Sequence, residues 1–463
     1  MIVQKFGGPS VADADAIRRL VAIGRHVRDD GRPPVVVVSA MSGVTDGLLA
    51  AAAEAGTMQQ EAALTRLGQL RERHHATAAA FVTGTALTGT ASPVARFIDE
   101  HFDELEAVVK ALAILREVTP RTLDAIAATG ELLSSTIVAA AFEAEGVPSA
   151  WLDARRLVVT DDEHTRAAPL MRETTAAVRA AVLPVVEAKR VPVLGGFVGA
   201  TREGVTTTLG RGGSDYSGAI VGAAIGAAEI QIWTDVDGML TADPRVVPNP
   251  RLVPQLSFAE ASELAFFGAK VLHPSTILPA VEQSIPVRIV NARKPANSGT
   301  LITASREAGG TLSAPTSART FAALACKRDV TVVDVTSSRM LMAYGFLRRL
   351  FEVFERFRTA VDVVTTSEVS VSITVDDRRN LEPIVAALRE FAEVSLEPEM
   401  ALLCAVGDNL RMEPTSAARV LRVLEDVPLR MVSQAASRRN ITVVLKQSEL
   451  AGAMQRLHAE FFE

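Results

Sequence analysis

The chain has 463 residues, too many for one hydrophobic core, so we expect a large domain followed by one or two small ones. Hydrophobic residues make up 48% and charged residues 22%, as in ordinary soluble globular proteins. The net charge of -6 and the aromatic content of 5% exclude the basic surface typical of nucleic-acid-binding proteins. An anionic substrate would therefore need local cations.

Few features of the sequence indicate a cellular compartment. The N-terminus enters an apolar strand directly, and the uncharged run 216–228 is too short and too rich in Gly and Ala to span a bilayer. The two cysteines, Cys326 and Cys404, fit a reducing cytosol and argue against a disulfide framework. We therefore expect a cytoplasmic protein.

The first predicted elements form a strand, a turn and a helix. Residues 1–6 predict a short strand, Gly7-Gly8 a turn, and Ser10 the cap of a helix that begins near Asp13. A helix start that follows paired glycines can bind an anion through its free amides, and Lys5 could reach a phosphate there. The alternative is an edge strand whose lysine extends into solvent.

Further along the chain, apolar strand-like runs alternate with amphipathic helical ones. The strands are predicted at 35–39, 191–194 and 229–233, and the helices at 16–27, 64–80 and 174–188. This alternation predicts a mostly parallel sheet between layers of helices. Ligands of such sheets bind at the carboxyl ends of strands, where Lys5, Ser39, Phe197 and Thr234 fall.

A glycine-rich turn precedes the helix predicted for 216–228. Gly210, Gly212 and Gly213 permit backbone conformations closed to other residues, and Ser214 or Asp215 could cap the helix. Free amides at this helix start would attract an anion. The alternative is an ordinary connecting turn.

The C-terminal part begins after a predicted linker at 303–319, which is rich in Thr, Ser, Ala, Gly and Pro. A β-α-β-β pattern in 330–375 recurs in 400–445, about 70 residues later, with a helix after each set. Two copies of one small unit are predicted. Because such a unit exposes a sheet edge and a helix face, we expect it to pair within or between chains.

Seven segments, taken in order, resemble the motifs of the aspartate kinases of the amino-acid-kinase family. They are residues 5–10 (KFGGPS), 38–46 (VSAMSGVTD), 129–131 (TGE), 195–197 (GGF), 211–215 (RGGSD), 241–245 (TADPR) and 270–274 (KVLHP). The C-terminal repeat resembles the paired ACT domains that sense amino acids in that family. The resemblance covers nearly the whole chain.

The resemblance implies an α/β amino-acid-kinase fold, a mostly parallel sheet sandwiched by helices, followed by two α+β ACT-like domains. The implied boundaries are a catalytic domain at 1–302, the linker at 303–319, a first ACT-like domain at 320–397 plus 446–463, and a second one inserted at 398–445. The implied reaction is the ATP-dependent phosphorylation of L-aspartate to 4-phospho-L-aspartate, the first step of lysine, threonine and methionine biosynthesis.

The same resemblance implies the site residues. The catalytic residues would be Lys5, Asp215 and Lys270, and the substrate-binding residues Ser39, Thr45, Glu131, Phe197, Arg211 and Ser214. The nucleotide would contact Lys5, Phe6, Gly7, Gly8, Thr234, Asp235, Leu240, Arg245, Lys270 and Val271. Leu240 departs from the tyrosine usual in the family, which puts the contact to the base or ribose in doubt.

The chemistry also follows from the residues. Phosphoryl transfer needs charge neutralisation and in-line positioning, which Lys5 and Lys270 could supply on the β- and γ-phosphates. Arg211 could bind the α-carboxylate with two hydrogen bonds, and Glu131 could pair with the ammonium. The attacking carboxylate, with a pKa of about 3.9 in model peptides, is already ionised. Asp215 is therefore expected to orient rather than to act as a base.

No metal site of the protein's own is predicted. Residues 235–238 resemble a calcium loop superficially but lack its third acidic position and its terminal glutamate, so we reject calcium there. The expected metal is Mg²⁺ arriving with the ATP phosphates. The seven histidines show no metal-binding spacing, and His273 is given no role.

Effector binding is predicted only by resemblance to the lysine-sensitive aspartate kinases. The implied contacts are Met340, Gly345, Leu347, Asp362, Ser367 and Glu368. Asp362 and Glu368 could bind an ammonium, and Ser367 or the amides around Gly345 a carboxylate. Positions 342–343 hold Met and Ala where that subgroup often has His and Ser. Lysine is favoured, and threonine or no effector remains open.

Three alternatives differ in class. Another kinase of this fold would share the phosphate-binding residues but differ around Arg211, Glu131 and Thr45. A non-catalytic amino-acid sensor would have lost Lys5, Asp215 or Lys270, and none is lost. A bifunctional kinase and homoserine dehydrogenase is disfavoured because no dinucleotide-binding βαβ unit follows. We expect a homodimer or a dimer of dimers formed through the ACT-like domains.

Overall fold

The computed structural model describes residues 1–82, 92–268, 274–305, 320–337, 344–434 and 437–463. The chain divides into two compact units. The first unit comprises Met1–Met239 and Leu272–Arg306, and the second comprises Leu240–Val271 and Glu307–Glu463.

The elements are numbered here in chain order. The described strands are β1 (Ile2–Phe6), β2 (Pro34–Val38), β3 (Ser149–Leu152), β4 (Val191–Gly195), β5 (Val198–Ala200), β6 (Thr206–Thr208), β7 (Glu229–Thr234), β8 (Gln255–Ser257), β9 (Val287–Asn291), β10 (Thr300–Thr303), β11 (Phe321–Thr336), β12 (Val364–Thr366), β13 (Ser370–Val375), β14 (Glu393–Gly407), β15 (Leu429–Ser433) and β16 (Asn440–Lys446). The described α-helices are α1 (Ala14–Asp29), α2 (Val44–Gly56), α3 (Gln60–Ala79), α4 (Pro93–Leu115), α5 (Pro120–Ala144), α6 (Met171–Glu187), α7 (Gly213–Ile225), α8 (Phe258–Phe266), α9 (Leu278–Glu282), α10 (Phe346–Arg356), α11 (Leu381–Arg389), α12 (Ser416–Val423) and α13 (Leu450–Phe462).

The first unit is built on a twisted sheet in the order β3-β4-β2-β1-β7-β9-β10. Its neighbouring strands are parallel except for β10, which runs antiparallel to β9. Every residue of β1, β2 and β4 is buried, as expected for parallel strands covered on both faces. The predicted fold class is confirmed, and the carboxyl ends of β1, β2, β4 and β7 meet at one edge.

Alternation along β1 sends adjacent side chains to opposite faces of this sheet. The amide oxygen of Gln4 lies 3.6 Å from the position that a Cβ would take on Gly24 of α1. On the other face, a Cβ on Gly218 of α7 would lie 3.2 Å from the Cβ of Lys5. The absence of a side chain at Gly218 therefore lets α7 pack closely over the strand that carries Lys5.

Helix α5 is, among the described residues, the one long and apolar enough to cross a membrane by length and composition. However, 83% of its most apolar window is buried inside the protein. Its side chains Ile126, Leu133, Ile137 and Phe142 belong to the main hydrophobic core. We therefore interpret α5 as a core helix.

The second unit contains an antiparallel sheet in the order β12-β13-β11-β14-β16-β15. The long strands β11 and β14 run through both halves, and their pairing is irregular between Lys327 and Val332. One half has a core around Val333, Leu350 and Ile384, with helices α10 and α11. The other has a core formed with helices α12 and α13. The predicted duplication is therefore present.

The predicted insertion of one copy in the other needs correction. Leu457 and Phe461 of α13 pack with Leu403 and Ile441, in the core of the second copy rather than the first. The first part of β11 pairs with the second part of β14, with Ala325 opposite Cys404. Residues 446–463 thus belong with the second copy, because the apolar face of α13 covers that half of the sheet.

The predicted domain boundary at 302 also differs from the structure, because residues 240–268 pack within the second unit. The amide of Leu324 in β11 donates to the carbonyl of Thr241 at 2.7 Å. The imidazole of His458 lies 2.8 Å from the Thr241 hydroxyl. Val246 and Val247 lie in the same core as Phe461.

Candidate active site

A cavity of about 930 Å³ lies at the carboxyl ends of the central strands of the first unit. It brings together all six predicted substrate-binding residues, and it is lined by Gly8, Pro9, Ser39, Ala40, Met41, Ser42, Gly43, Thr45, Asp46, Leu49, Leu123, Asp124, Ala127, Glu131, Thr165, Phe197, Thr208, Gly210, Arg211, Gly212, Gly213 and Ser214. A cavity of this size accommodates small-molecule ligands.

Lys5 and Asp215 form an ion pair beside this cavity. The Lys5 ammonium lies 2.7 Å from the Asp215 carboxylate, and the two side chains are 9% and 18% exposed. A Cβ on Gly7 would lie 3.6 Å from that ammonium, and a Cβ on Gly8 would lie 3.3 Å from the carbonyl oxygen of Ala40. The absence of a side chain at Gly7 thus leaves that position beside the ammonium open, and the absence of one at Gly8 allows a close approach to Ala40.

Gly7 and Gly8 differ from the predicted turn. Gly7 is extended, with φ −74° and ψ 169°, and Gly8 opens a short 3-10 helix, Gly8–Val11. Asp13, not Ser10, caps α1, because its carboxylate accepts from the Ala16 amide at 2.8 Å. Asp13 has the extended backbone that an N-cap requires.

Two serines join the ends of different elements. The Ser39 hydroxyl after β2 donates to the Ser214 hydroxyl in α7 at 2.9 Å. The Ser134 hydroxyl of α5 donates to the carbonyl of Ser39 at 2.7 Å. Ser39 and Ser214, which are predicted to bind the substrate, are therefore bonded to each other, and Ser39 is also bonded to α5.

The glycine-rich turn has left-handed conformations at Gly210 and Gly212, with φ of 75° and 71°. Gly212 itself stands at the N-cap of α7 and no side chain caps the helix, so the prediction of a cap by Ser214 or Asp215 was wrong. A Cβ on Gly213 would come within 2.6 Å of the Phe197 ring. Glycine is required here by conformation and by close approach.

Glu131 is a buried carboxyl group, 4% exposed, at the wall of the cavity. Burial raises its pKa to about 8, although a hydrogen bond with the Ala40 backbone and the charge of Lys5 favour ionisation. Its Oε2 has no hydrogen-bond partner among the described residues. Arg211 is exposed and lines the same cavity. A carboxyl group and a cation at one cavity could thus bind the ammonium and the carboxylate of a zwitterion.

Three of the predicted nucleotide-binding residues lie at the ends of β1 and β7. Phe6 stacks on Trp233 with ring centroids 5.9 Å apart, and Thr234 and Asp235 follow directly at the end of β7. Asn291 of β9 donates to the carbonyl of Asp235 at 3.3 Å. These residues belong to the first unit.

Leu240 and Arg245 belong instead to the second unit. Leu240 pairs with Leu252, and Arg245 binds Asp243 through two nitrogen atoms at 3.0 and 2.6 Å. Lys270 and Val271 lie outside the described residues, as does His273. The predicted convergence of Lys5 and Lys270 therefore stays a prediction.

Two predicted effector side chains are engaged within the second unit itself. Asp362, 5% exposed, pairs with Lys327 at 2.6 Å, and burial raises its pKa. The Ser367 hydroxyl accepts from the amides of Val369 and Ser370 in the β12–β13 turn. Both side chains are therefore already engaged within the second unit, and Asp362 Oδ2 has no hydrogen-bond partner among the described residues.

The remaining predicted effector residues are more accessible. Gly345 is left-handed, with φ 84°, at the start of α10, where Leu347 is 41% exposed. Glu368 is exposed. Met340 lies outside the described residues. The described residues contain no group of three or more His, Cys, Asp or Glu side chains that could hold a metal ion.

Asp124 of α5 is a cavity residue that the sequence prediction missed. It is 1% exposed. Its carboxylate is hydrogen-bonded to His164, Thr165 and Thr208, which lie 40, 41 and 84 positions further along the chain. Helical spacing from Glu131, seven residues later on the same face, is the signal that could have found it.

Comparison with known proteins agrees with this geometry. The sequence model described as the amino acid kinase family matches residues 1–291, and one described as an ACT domain matches residues 403–461. The fold, the glycine-rich cavity and these matches define an amino acid kinase with a C-terminal ACT region.

The full-length relatives narrow the class further. The chain is 36% identical to aspartokinase 3, chloroplastic, of Arabidopsis thaliana, over 100% of this chain and 81% of that protein. It is 33% identical to lysine-sensitive aspartokinase 3 of Escherichia coli, over 100% of this chain and 99% of that protein. The crystal structure of E. coli aspartokinase III in complex with aspartate and ADP matches with a TM-score of 0.81 and 32% identity, over 100% of both chains. The chain belongs to the aspartokinases.

Proposed function

We propose that this chain transfers the γ-phosphoryl group of ATP to the side-chain carboxylate of L-aspartate, giving 4-phospho-L-aspartate and ADP. This is the first step of lysine, threonine and methionine biosynthesis, and we place it in the cytoplasm. The observation that carries the proposal is the cavity at the strand ends, which is lined by Arg211 and Glu131 and has the Lys5–Asp215 ion pair beside it.

In the proposed reaction, a carboxylate oxygen of aspartate attacks the γ-phosphorus while the bond from that phosphorus to the ADP oxygen breaks. The attacking group is already ionised at neutral pH, so no proton has to be removed. Lys5 neutralises developing charge on the phosphoryl oxygens, and Asp215 holds the ammonium in place. Lys270 is proposed as the second cation.

We assign the orientation of the substrate to residues that line the same cavity. Arg211 binds the α-carboxylate, Glu131 binds the ammonium, and Ser39, Thr45, Phe197 and Ser214 complete the wall. The nucleotide is assigned to Phe6, Gly7, Gly8, Thr234, Asp235, Leu240, Arg245 and Val271. A nucleotide phosphate is assigned to the Lys5 ammonium, which lies 3.6 Å from the position that a Cβ would take on Gly7. Mg²⁺ would arrive with the nucleotide phosphates.

The substrate assignment is tested by trapping the acyl phosphate with hydroxylamine. The enzyme is incubated with ATP, Mg²⁺ and either aspartate or glutamate, and the hydroxamate is measured. We expect aspartyl hydroxamate at a rate at least 100-fold above that with glutamate, because one extra methylene displaces the reacting carboxylate. Hydroxamate from glutamate but not aspartate would assign another amino acid kinase activity.

Regulation by an amino acid is proposed from the ACT-like duplication, with lysine favoured. A second matched crystal structure is described as E. coli aspartokinase III in complex with lysine and aspartate, at 32% identity and a TM-score of 0.81. We propose contacts to lysine from residues 340–347 and 362–368 and a homodimer or dimer of dimers formed through these domains.

Lysine and threonine are titrated separately in the same assay to test this regulation. We expect lysine to reduce the rate at least tenfold at saturation and threonine to have little effect. The exposed Glu368→Gln variant should need several-fold more lysine, and Glu399→Gln, an exposed carboxylate outside the predicted effector segments, should not. A flat response to both amino acids would discard the sensor assignment.

A further inference from the structure

Asp124 is a buried carboxylate with no part in the proposed chemistry. It lies on α5, two helical turns before Glu131, and its side chain is 1% exposed at the wall of the cavity. A carboxylate in such surroundings is costly unless several donors stabilise it. The hydrogen-bond partners of Asp124 therefore indicate which segments it fixes in place.

Three donors from two other segments surround this carboxylate. The Thr165 amide donates to both of its oxygens at 3.0 Å, and His164 Nδ1 lies 2.7 Å from Oδ2. The Thr208 hydroxyl at the end of β6 donates to Oδ1. Asp124 thus ties α5 to the 164–165 segment and to the end of β6.

Both of these segments border the glycine-rich turn at Gly210–Ser214. Thr208 lies two residues before Gly210, and its carbonyl accepts from the Ala167 amide at 2.9 Å. A Cβ on Gly210 would lie 3.2 Å from the Thr165 carbonyl oxygen. The backbone that presents Arg211 is therefore packed directly against the segment that Asp124 holds.

We infer that Asp124 is a positioning residue, which fixes the turn Gly210–Ser214 and so sets the place of Arg211 for the carboxylate of the amino-acid substrate. This role deepens the proposed function, since it assigns Arg211 to substrate. Asp124 acts through the Thr165 amide and the Thr208 hydroxyl, and it does not touch the reacting groups. Its loss should weaken substrate binding far more than nucleotide binding.

The first test is Asp124→Asn, which keeps the shape but replaces one accepting oxygen with an amide that donates. We expect the KM for aspartate to rise at least tenfold, with the KM for ATP within twofold and kcat within about threefold. Thr208→Val should raise the same KM several-fold, and Thr208→Ser, which keeps the hydroxyl, should restore it. Equal rises in both KM values, or none, would overturn the inference.

The matched control is Ser149→Ala. The buried Ser149 hydroxyl donates to the Ala139 carbonyl of α5 at 2.8 Å, so its loss removes a buried hydrogen bond from the same helix. Ser149 does not line the cavity. We expect reduced thermal stability without a change in either KM.

A second measurement does not depend on activity. Arg211 is exposed, so trypsin cleavage after Arg211 reports how firmly the turn is held. We expect cleavage at this bond at least tenfold faster in Asp124→Asn and in Thr208→Val than in wild type or Ser149→Ala. Unchanged cleavage would overturn the positioning role, whether or not the wild-type enzyme is active with aspartate. Inactivity of the wild-type enzyme with aspartate would instead contradict the proposed function. If Asp124→Asn does not fold, the Thr208 pair decides.

Discussion

Replacing Lys5 by methionine should lower kcat at least a thousandfold while leaving the fold intact. Lys5 lies near the carboxyl end of β1, and its ammonium pairs with the Asp215 carboxylate. Because Gly7 has no side chain, the position that its Cβ would take beside the ammonium is open. Removing a single preorganised donor from a developing negative charge costs about a hundred- to a thousandfold in other enzymes, and Lys5 carries a full charge. The measurement is single-turnover formation of aspartyl hydroxamate at saturating ATP.

The Lys5 variant needs two controls, because it also leaves Asp215 without its partner. Lys5→Met with Asp215→Asn removes both charges, so an uncompensated carboxylate can no longer account for the loss. We expect the double variant to stay inactive. Lys110→Met removes an exposed lysine, whose ammonium lies 3.5 Å from Glu106, and should retain normal turnover. Recovery of activity in the double variant would reduce Lys5 to a structural partner of Asp215.

Much of the site could be predicted because parallel strands impose a simple geometry. Lys5, Ser39 and Thr234 each stand at or just after the end of an apolar strand, and parallel strands end at one edge of a sheet. The substrate residues Glu131 and Arg211 depended on motif resemblance, and the structure brings both to the same cavity. Periodicity alone would not have selected them.

What escaped prediction depends on contacts between distant positions. Asp362 seemed free for an effector because nothing in its local sequence announces Lys327, 35 residues away, as its partner. The hydrogen bonds of Asp124 likewise join positions 40 to 84 residues apart. Local sequence patterns predict helix faces and helix caps, whereas tertiary packing determines which distant residue a side chain contacts.

The segment 240–271 shows a different limit. Its motif at 241–245 resembles a motif of the aspartate kinases, and the resemblance implied a catalytic domain at 1–302 that includes it. Yet Ala242, Val246 and Val247 lie in the core formed with α13. The resemblance of a motif indicates which ligand a loop could bind, whereas the apolar residues of the loop indicate which hydrophobic core it packs in.

Glu131→Gln should abolish the pH dependence of aspartate binding and raise the KM for aspartate about a hundredfold at pH 8.5. Burial raises the pKa of Glu131 to about 8 in the empty site. At pH 7 about nine in ten molecules would therefore hold it protonated, and only the ionised form pairs with the substrate ammonium. In wild type, the KM for aspartate should fall about 16-fold between pH 6.5 and 8 and by about another twofold above pH 8 before it levels off.

The sign for stability is opposite to that for binding. The folded-state pKa lies above the ordinary value of 4.5, so the folded protein binds this proton more tightly than the unfolded chain. Glu131 therefore destabilises the empty enzyme progressively as pH rises from about 4.5 to 8. Glu131→Gln should remove that part of the decline, measured as the midpoint of thermal unfolding across this range.

Glu145→Gln is the matched control, because it neutralises a half-exposed carboxylate just after α5, 3.7 Å from Arg25. It should retain the wild-type dependence of KM on pH. A wild-type KM that is constant between pH 6.5 and 8.5 would separate Glu131 from the substrate ammonium. The same conclusion would follow if Glu131→Gln kept the wild-type slope.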